Sequence, residues 1–283
     1  MSLTNSYVEL GGEKVFVDAK GNLEIYSSLV KISDIKGLDK LQGLKSLWIV
    51  ESNLSSMCGF EGLTSLKELH IIGNEKLRKI EGLESLVNLE LLNLCSNRIE
   101  HIANLEKLTN LKTLIFGSDN DCPGNPLCKI EGLDTLEKLE ELAFYECAIS
   151  KIEGLDNLKN LKRLYLTFNC VNKISGLDSL LNLESLCLSF NKIERIEGLD
   201  NLRKLKKLHL NGNKISKIEG FDNLVNLKVL GLFNNPLKGL EHIKRSHMGN
   251  DIALEDISPY LRNLVNLEDF NGKKYPDSDI YPI

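Results

Sequence analysis

Residues 183–204 read LESLCLSFNKIERIEGLDNLRK, and residues 205–226 repeat the phrase as LKKLHLNGNKISKIEGFDNLVN. The first half of each copy is L-x-x-L-x-L-x-x-N-x-I, carried in the first by Leu183, Leu186, Leu188, Asn191 and Ile193. Working outward, the anchoring leucines are Leu89, Leu111, Leu139, Leu161, Leu183, Leu205 and Leu227. Every step is 22 residues except the 28 between Leu111 and Leu139. Two more copies stand upstream: Leu66, Leu69, Ile71 and Asn74, and then Leu44, Leu47, Ile49 and Leu54, where Ser52 takes the asparagine position. That makes nine repeats between about residues 37 and 240. A period of this length marks a stacked architecture in which no single repeat can bury its own leucines.

The phrase dictates its local structure. In L-x-L the two leucines point inward from a short strand while their neighbours face solvent, and successive strands stack in parallel roughly 4.8 Å apart. The asparagine ends the strand, its amide bonding the backbone of the turn. Asn74, Asn97, Asn169, Asn191, Asn213 and Asn235 form this internal ladder, with Cys147 in the same position. The second half, I-x-G-L-x-x-L-x-x-L, spaces its apolar residues by three, which predicts a 3-10 or short helical turn on the convex side. The expected fold is an α/β, right-handed leucine-rich-repeat solenoid with its parallel sheet on the concave face. Residues 1–36 are expected to form an N-terminal cap, a hairpin around Lys20-Gly21-Asn22. Residues 37–240 carry the nine repeats with an insertion at 117–129, and residues 241–283 form a C-terminal cap containing a helix and a tenth, strand-like phrase at Leu264, Leu267 and Phe270.

The bulk numbers exclude several function classes. A net charge of −5, from 35 basic and 40 acidic residues, gives no electrostatic reason to expect nucleic acid. The first residues lack a basic stretch followed by an apolar run, so no secretory signal is expected, and no segment is apolar for the roughly 18 residues of a membrane span. Seven scattered cysteines suit reduced thiols and an intracellular, cytoplasmic or nuclear, setting. There is no G-x-G-x-x-G, Walker or H-E-x-x-H motif, and the five histidines suggest no triad or metal set. No catalytic residue, metal or cofactor is therefore expected, and the chain is not expected to be an enzyme.

The recurring Ile-Glu-Gly-Leu-(Asp/Glu)-x-Leu at Ile80, Ile130, Ile152 and Ile196, with Ile-Glu-Gly-Phe-Asp at Ile218, resembles the repeat of the protein phosphatase 1 regulatory subunit. The resemblance covers roughly residues 36–240, and Asn235-Pro236-Leu237 through Leu267-Glu268-Asp269-Phe270-Asn271-Gly272 is similar to the cap used across that class. It implies a protein partner, with the phosphatase 1 catalytic subunit the leading candidate. The class also includes axonemal, ciliary and centrosomal proteins, a splicing subunit and, with altered spacing, bacterial internalins. The central strand position departs from the regulator's aromatic and acidic row: it reads Trp48, His70, Asn93, Ile115, Ala143, Tyr165, Cys187, His209 and Gly231, with no carboxylate. Lys14-Val15-Phe16-Val17 is near, but does not fit, the basic-Val-x-Phe docking motif of phosphatase partners. The insertion, with Asp119, Asp121, Cys122, Asn125, Pro126 and Cys128, is similar to an Asp-rich, Asn-Pro-x-Cys loop of ciliary repeat proteins, which implies a cytoskeletal partner and a place in a cilium as the alternative.

The exposed strand positions are the expected working surface. Of 27 such positions only Glu68, Glu141, Arg163 and Lys207 are charged, in a chain that is 27% charged. Charge depletion with aromatic enrichment is how the centre of a protein interface reads. Trp48, Val50, His70, Ile72, Ile115, Tyr145, Tyr165 and Phe233 are the expected partner-binding residues, with Trp48 and Tyr165 as hot spots. The alternative is the ordinary preference of strand positions for aromatic and β-branched residues. Phe168 and Phe190 either rim this face or pack at the strand ends. In the insertion, a cysteine pair six apart lacks zinc-ligand spacing, so a surface loop is the expectation.

Overall fold

The computed structural model describes residues 6–26, 31–118 and 124–237, together with the backbone of 269–270. The chain forms two compact units, residues 1–147 and 148–283.

The first unit opens with an antiparallel hairpin of β1 (Tyr7–Leu10) and β2 (Glu13–Phe16). It turns at Gly11 and Gly12, both at positive φ. The hairpin thus lies upstream of Lys20-Gly21-Asn22. That second turn instead hangs on Asp18, whose carboxylate accepts the N–H groups of Lys20 and Asn22, each at 2.8 Å. It leads into β3 (Asn22–Tyr26), which pairs in parallel with β4 (Ser46–Val50), so that Leu23 and Ile25 stand opposite Leu47 and Ile49. The stack continues through β5 (Glu68–Ile72), β6 (Leu91–Asn93), β7 (Thr113–Phe116) and β8 (Glu141–Phe144). Leu47, Leu69, Leu92, Leu114 and Leu142 lie in one line across them, all fully buried.

The second unit repeats the design with β9 (Arg163–Tyr165), β10 (Ser185–Cys187), β11 (Lys207–His209) and β12 (Val229–Gly231), all parallel. A short β13 (Asp269–Phe270) pairs in parallel with β12, Phe270 opposite Leu230, so the tenth phrase does supply a strand. The rest of the expected C-terminal cap lies outside the described residues. Together the units hold a leucine-rich-repeat parallel-sheet solenoid of about nine turns, five in the first and four in the second.

The second half of the repeat differs from the helical turn its spacing predicts. Each buried leucine closes a turn onto the one three before it, as in Leu202 N–H to Leu199 C=O and Leu205 N–H to Leu202 C=O, both 3.0 Å. A 3-10 helix needs such bonds at successive residues, and here they recur only every third. Among the described residues the only 3-10 segments are Ile32–Asp34 and Leu38–Lys40.

The recurring glycine has a mechanical cause. Gly198 sits at φ +67, and a Cβ there would lie 2.5 Å from the Ile174 carbonyl oxygen of the preceding repeat. The missing side chain lets the turns stack that closely without strain. Where the phrase reads Ile102-Ala103-Asn104, Asn104 takes the left-handed position at φ 60, and its amide donates to the Ile80 carbonyl at 2.6 Å.

The asparagine ladder is built as its position predicts. Asn191 accepts the Val171 N–H at 2.9 Å and donates to the carbonyls of Leu166, Leu188 and Ser189 at 2.7, 3.1 and 3.2 Å. One rung escaped the sequence reading. Asn125, inside the assigned insertion, is fully buried, accepts the Ile99 N–H at 2.9 Å and donates to the Leu94 carbonyl at 2.8 Å. Ile130 follows Asn125 by five residues, as Ile102 follows Asn97. The six extra residues therefore fall between Phe116 and Asn125, and Pro126 to Lys129 are regular repeat. Residues 119–123, with Asp119, Asp121 and Cys122, lie outside the described residues.

Candidate protein-binding face

Alternation along each strand sends one set of side chains to the leucine core and the other to the opposite face of the sheet. In the first unit that face is a grid set by register. Glu24, Trp48, His70, Asn93, Ile115 and Ala143 form one row, and Tyr26, Val50 and Ile72 begin the next. Trp48 and Val50 are half-buried, whereas His70, Ile72, Ile115 and Tyr145 are buried by their neighbours on the face itself. Tyr145 closes down because Gly117 precedes it across the sheet: a Cβ on Gly117 would meet the Tyr145 Cβ at 2.7 Å.

The N-terminal end of this grid is held rigidly. The indole of Trp48 and the imidazole of His70 stack at 3.5 Å between centroids, 9° from parallel, and the indole N–H donates to Ser46 Oγ at 3.1 Å. His70 is 6% exposed, and neither ring nitrogen has a partner among the described residues. Burial lowers its pKa from 6.5 to about 4, so the ring is neutral at physiological pH. Beside the stack stands Tyr26, 67% exposed and donating its hydroxyl to Glu24 at 3.3 Å. Its pKa is raised by burial and by the Glu24 charge. Tyr26 is absent from the expected contact residues because the sequence around it reads as a cap hairpin turning at Lys20-Gly21-Asn22. The available signal was Leu23-x-Ile25, which matches Leu47-x-Ile49.

In the second unit the corresponding positions begin with Arg163, Tyr165 and Thr167. Tyr165 is 5% exposed, and Phe233 is half-buried. Cys187 is buried with its sulfur 3.1 Å from Thr167 Oγ1 and 3.6 Å from Ser189 Oγ, so it packs as a small polar filler. Phe168 and Phe190 both adopt φ 56, a left-handed conformation costing a bulky residue roughly 1–2 kcal/mol. Their rings stack at 4.4 Å, Phe190 lies over Gly212, and Phe168 remains 38% exposed. Packing and rim are thus both realised, one by each ring.

One set of ion pairs stands just before the strands. In the first unit, Glu90 receives Lys67 and Lys112, each at 2.6 Å, and these hydrogen bonds hold its carboxyl at about 2. In the second, the Lys206 ammonium at 2.7 Å lowers the Glu184 pKa. Cys147, in the ladder, has its thiol pKa raised by burial, with the nearby Cys95 adding to the shift. Six cysteines among the described residues are free thiols, and among those residues no group of three or more His, Cys, Asp or Glu is placed to hold a metal. No helix among them is long and apolar enough to cross a membrane.

A family profile described as "leucine-rich repeat region" matches residues 30–238. No curated protein matches the sequence. Among solved structures the fold is similar to the internalin InlF of Listeria monocytogenes, 18% identical over 93% of this chain and 91% of that one, at a TM-score of 0.55. It is also similar to a leucine-rich-repeat protein of Leptospira interrogans, 25% identical over 82% of this chain and 61% of that one, at 0.63. A third is the functional domain of InlJ from Listeria monocytogenes, which includes a cysteine ladder, 18% identical over 92% of this chain and 56% of that one, at 0.62. This chain thus spans less than two thirds of the last two. Identities this low speak for architecture, and leave the partner to the residues on the face.

Proposed function

The chain belongs to the leucine-rich repeat region family, and from that premise we propose that it is a non-catalytic recognition module gripping a protein partner on the open face of its sheet. The fold is typical of protein-interaction scaffolds. The observation that carries the proposal is the pinned Trp48–His70 pair with exposed Tyr26 beside it. A rigid aromatic anchor on a charge-poor face binds with little loss of side-chain entropy. In this reading Trp48, Val50 and Tyr26 make first contact, with Phe168 and Phe233 doing so in the second unit. His70, Ile72, Ile115, Tyr145 and Tyr165 form the packed floor that keeps them in place. Residues 1–36 and 241–283 act as caps, and the free thiols suit an intracellular compartment.

The phosphatase 1 catalytic subunit is the leading partner, on the strength of the Ile-Glu-Gly-Leu repeats. The cytoskeletal or ciliary alternative drew on the insertion, and Asn125-Pro126 now belongs to the repeat's own ladder, which leaves it less support. Affinity capture from a eukaryotic lysate with the tagged full chain tests the proposal. It should enrich phosphatase 1 with wild type and lose it with Trp48→Ala and Tyr26→Ala, both retaining the wild-type melting temperature. Absence of phosphatase 1 removes that partner. A retained complex with both variants removes the face.

A further inference from the structure

The sheet face of the first unit carries charges of one sign. Its ionisable carboxylates are Glu24, Glu68 and Glu141, and no Lys or Arg occupies a face position of β3 to β8. Two of the three flank Trp48. Glu24 is its register partner on β3, about 4.8 Å away across the sheet. Glu68 lies on β5, on the other side, two residues back from His70. Glu68 is exposed and in no ion pair among the described residues.

The indole presents one face to this setting. His70 covers the face toward β5 at 3.5 Å, and the Nε1–H is fixed on Ser46, so the remaining face is directed over the β3 column, toward Glu24 and the exposed ring of Tyr26. His70 meanwhile lies 6% exposed with both nitrogens unpartnered among the described residues, a cost that leucine packing does not require. A neutral imidazole there backs the indole and leaves a donor and an acceptor unmade at this end of the face.

Resting on the recognition role proposed above, we infer that this end of the face is a guanidinium subsite, where an arginine of an extended partner segment stacks on the open face of Trp48 and pairs with Glu24. A planar cation over an indole gains from the ring quadrupole, and its N–H fork reaches the Glu24 carboxylate, which an ammonium would meet only as a point charge. The uncharged floor beyond, Val50 and Ile72, accepts an apolar residue next to that arginine.

Trp48 is the chain's sole tryptophan, so its fluorescence reports this site alone. The peptide acetyl-Gly-Ala-Arg-Ala-Gly-amide, titrated into the full chain, should change the emission saturably. Its citrulline counterpart, alike in shape but uncharged, should bind at least about tenfold more weakly. Glu24→Gln should weaken the arginine peptide about tenfold, whereas Glu68→Gln, on the side His70 covers, should leave it within about threefold, with melting temperatures unchanged in both. Citrulline binding within about threefold of arginine, or a Glu24→Gln variant that binds arginine as wild type does, overturns the subsite; a lysine peptide that binds as tightly overturns its guanidinium character. The same variants in the capture experiment separate the two claims. If the peptides fail yet Trp48→Ala still strips the partner, the subsite falls and the face stands. If Trp48→Ala leaves the partner bound, both fall.

Discussion

Replacing Asn97 by alanine removes four hydrogen bonds, but only two backbone groups are left without a partner. Asn97 accepts the Asn74 N–H at 3.0 Å and donates to the carbonyls of Ile71, Leu94 and Cys95 at 2.7, 2.8 and 3.1 Å. The Leu94 carbonyl keeps the Asn125 amide at 2.8 Å, and the Cys95 carbonyl keeps the Gly73 N–H at 3.1 Å. The Asn74 N–H and the Ile71 carbonyl are then left buried and unpaired. At roughly 1–3 kcal/mol for each such group, the cost is about 4 kcal/mol. With a urea dependence of about 2 kcal/mol per molar, the unfolding midpoint should fall by about 2 M, read from Trp48 fluorescence within the same unit. Asn88→Ala is the control: its exposed amide donates once, to the Thr64 carbonyl at 2.9 Å, and should cost under about 1 kcal/mol. Equal midpoints for the two variants would refute the ladder as a principal source of stability.

His70→Phe keeps a ring against Trp48 and removes the titration. In the wild type the folded state refuses the proton between pH 6.5 and about 4 while the unfolded state takes it, so stability is intact above 6.5 and declines as pH falls through that window. At pH 5 the loss amounts to about 2 kcal/mol, and His70→Phe should show that much less acid destabilisation between pH 7 and pH 5 in urea melts. Glu90→Gln should cost about 0.5–1 kcal/mol at pH 7, since the pairs with Lys67 and Lys112 are well solvated. The carboxyl is lowered in the folded state, so its contribution stands above pH 4.5 and disappears toward about 2, where variant and wild type should converge. Cys147→Asn restores a ladder amide, with its oxygen in reach of the Leu127 N–H by analogy with Asn169 and Ile149, and should raise stability by about 1 kcal/mol in the same melts.

The leucine period carried the strands and their register because the core line Leu47 to Leu142 depends only on alternation and spacing, which are written in the chain. Asn125 was hidden by its neighbours: Pro126 and Cys128 read as loop, although Asn125 to Ile130 keeps the spacing of Asn97 to Ile102. The face was legible as a list of positions and not as a surface. Whether Tyr145 is open depends on what Gly117 leaves vacant across the sheet, and whether Trp48 is fixed depends on His70 one strand away. Such lateral packing has no period in the sequence. The left-handed stack of Phe168 and Phe190 was equally hidden, since a bulky residue at that position goes against local preference.

The face itself is tested most directly by the dissociation constant of the captured partner for wild type, Trp48→Ala and Leu181→Ala. Leu181 is 57% exposed on a turn away from the face positions. Loss of the anchor should weaken binding by about tenfold or more, and loss of Leu181 should leave it within about twofold. A partner that is indifferent to Trp48 and sensitive to Leu181 would contradict recognition on the sheet face.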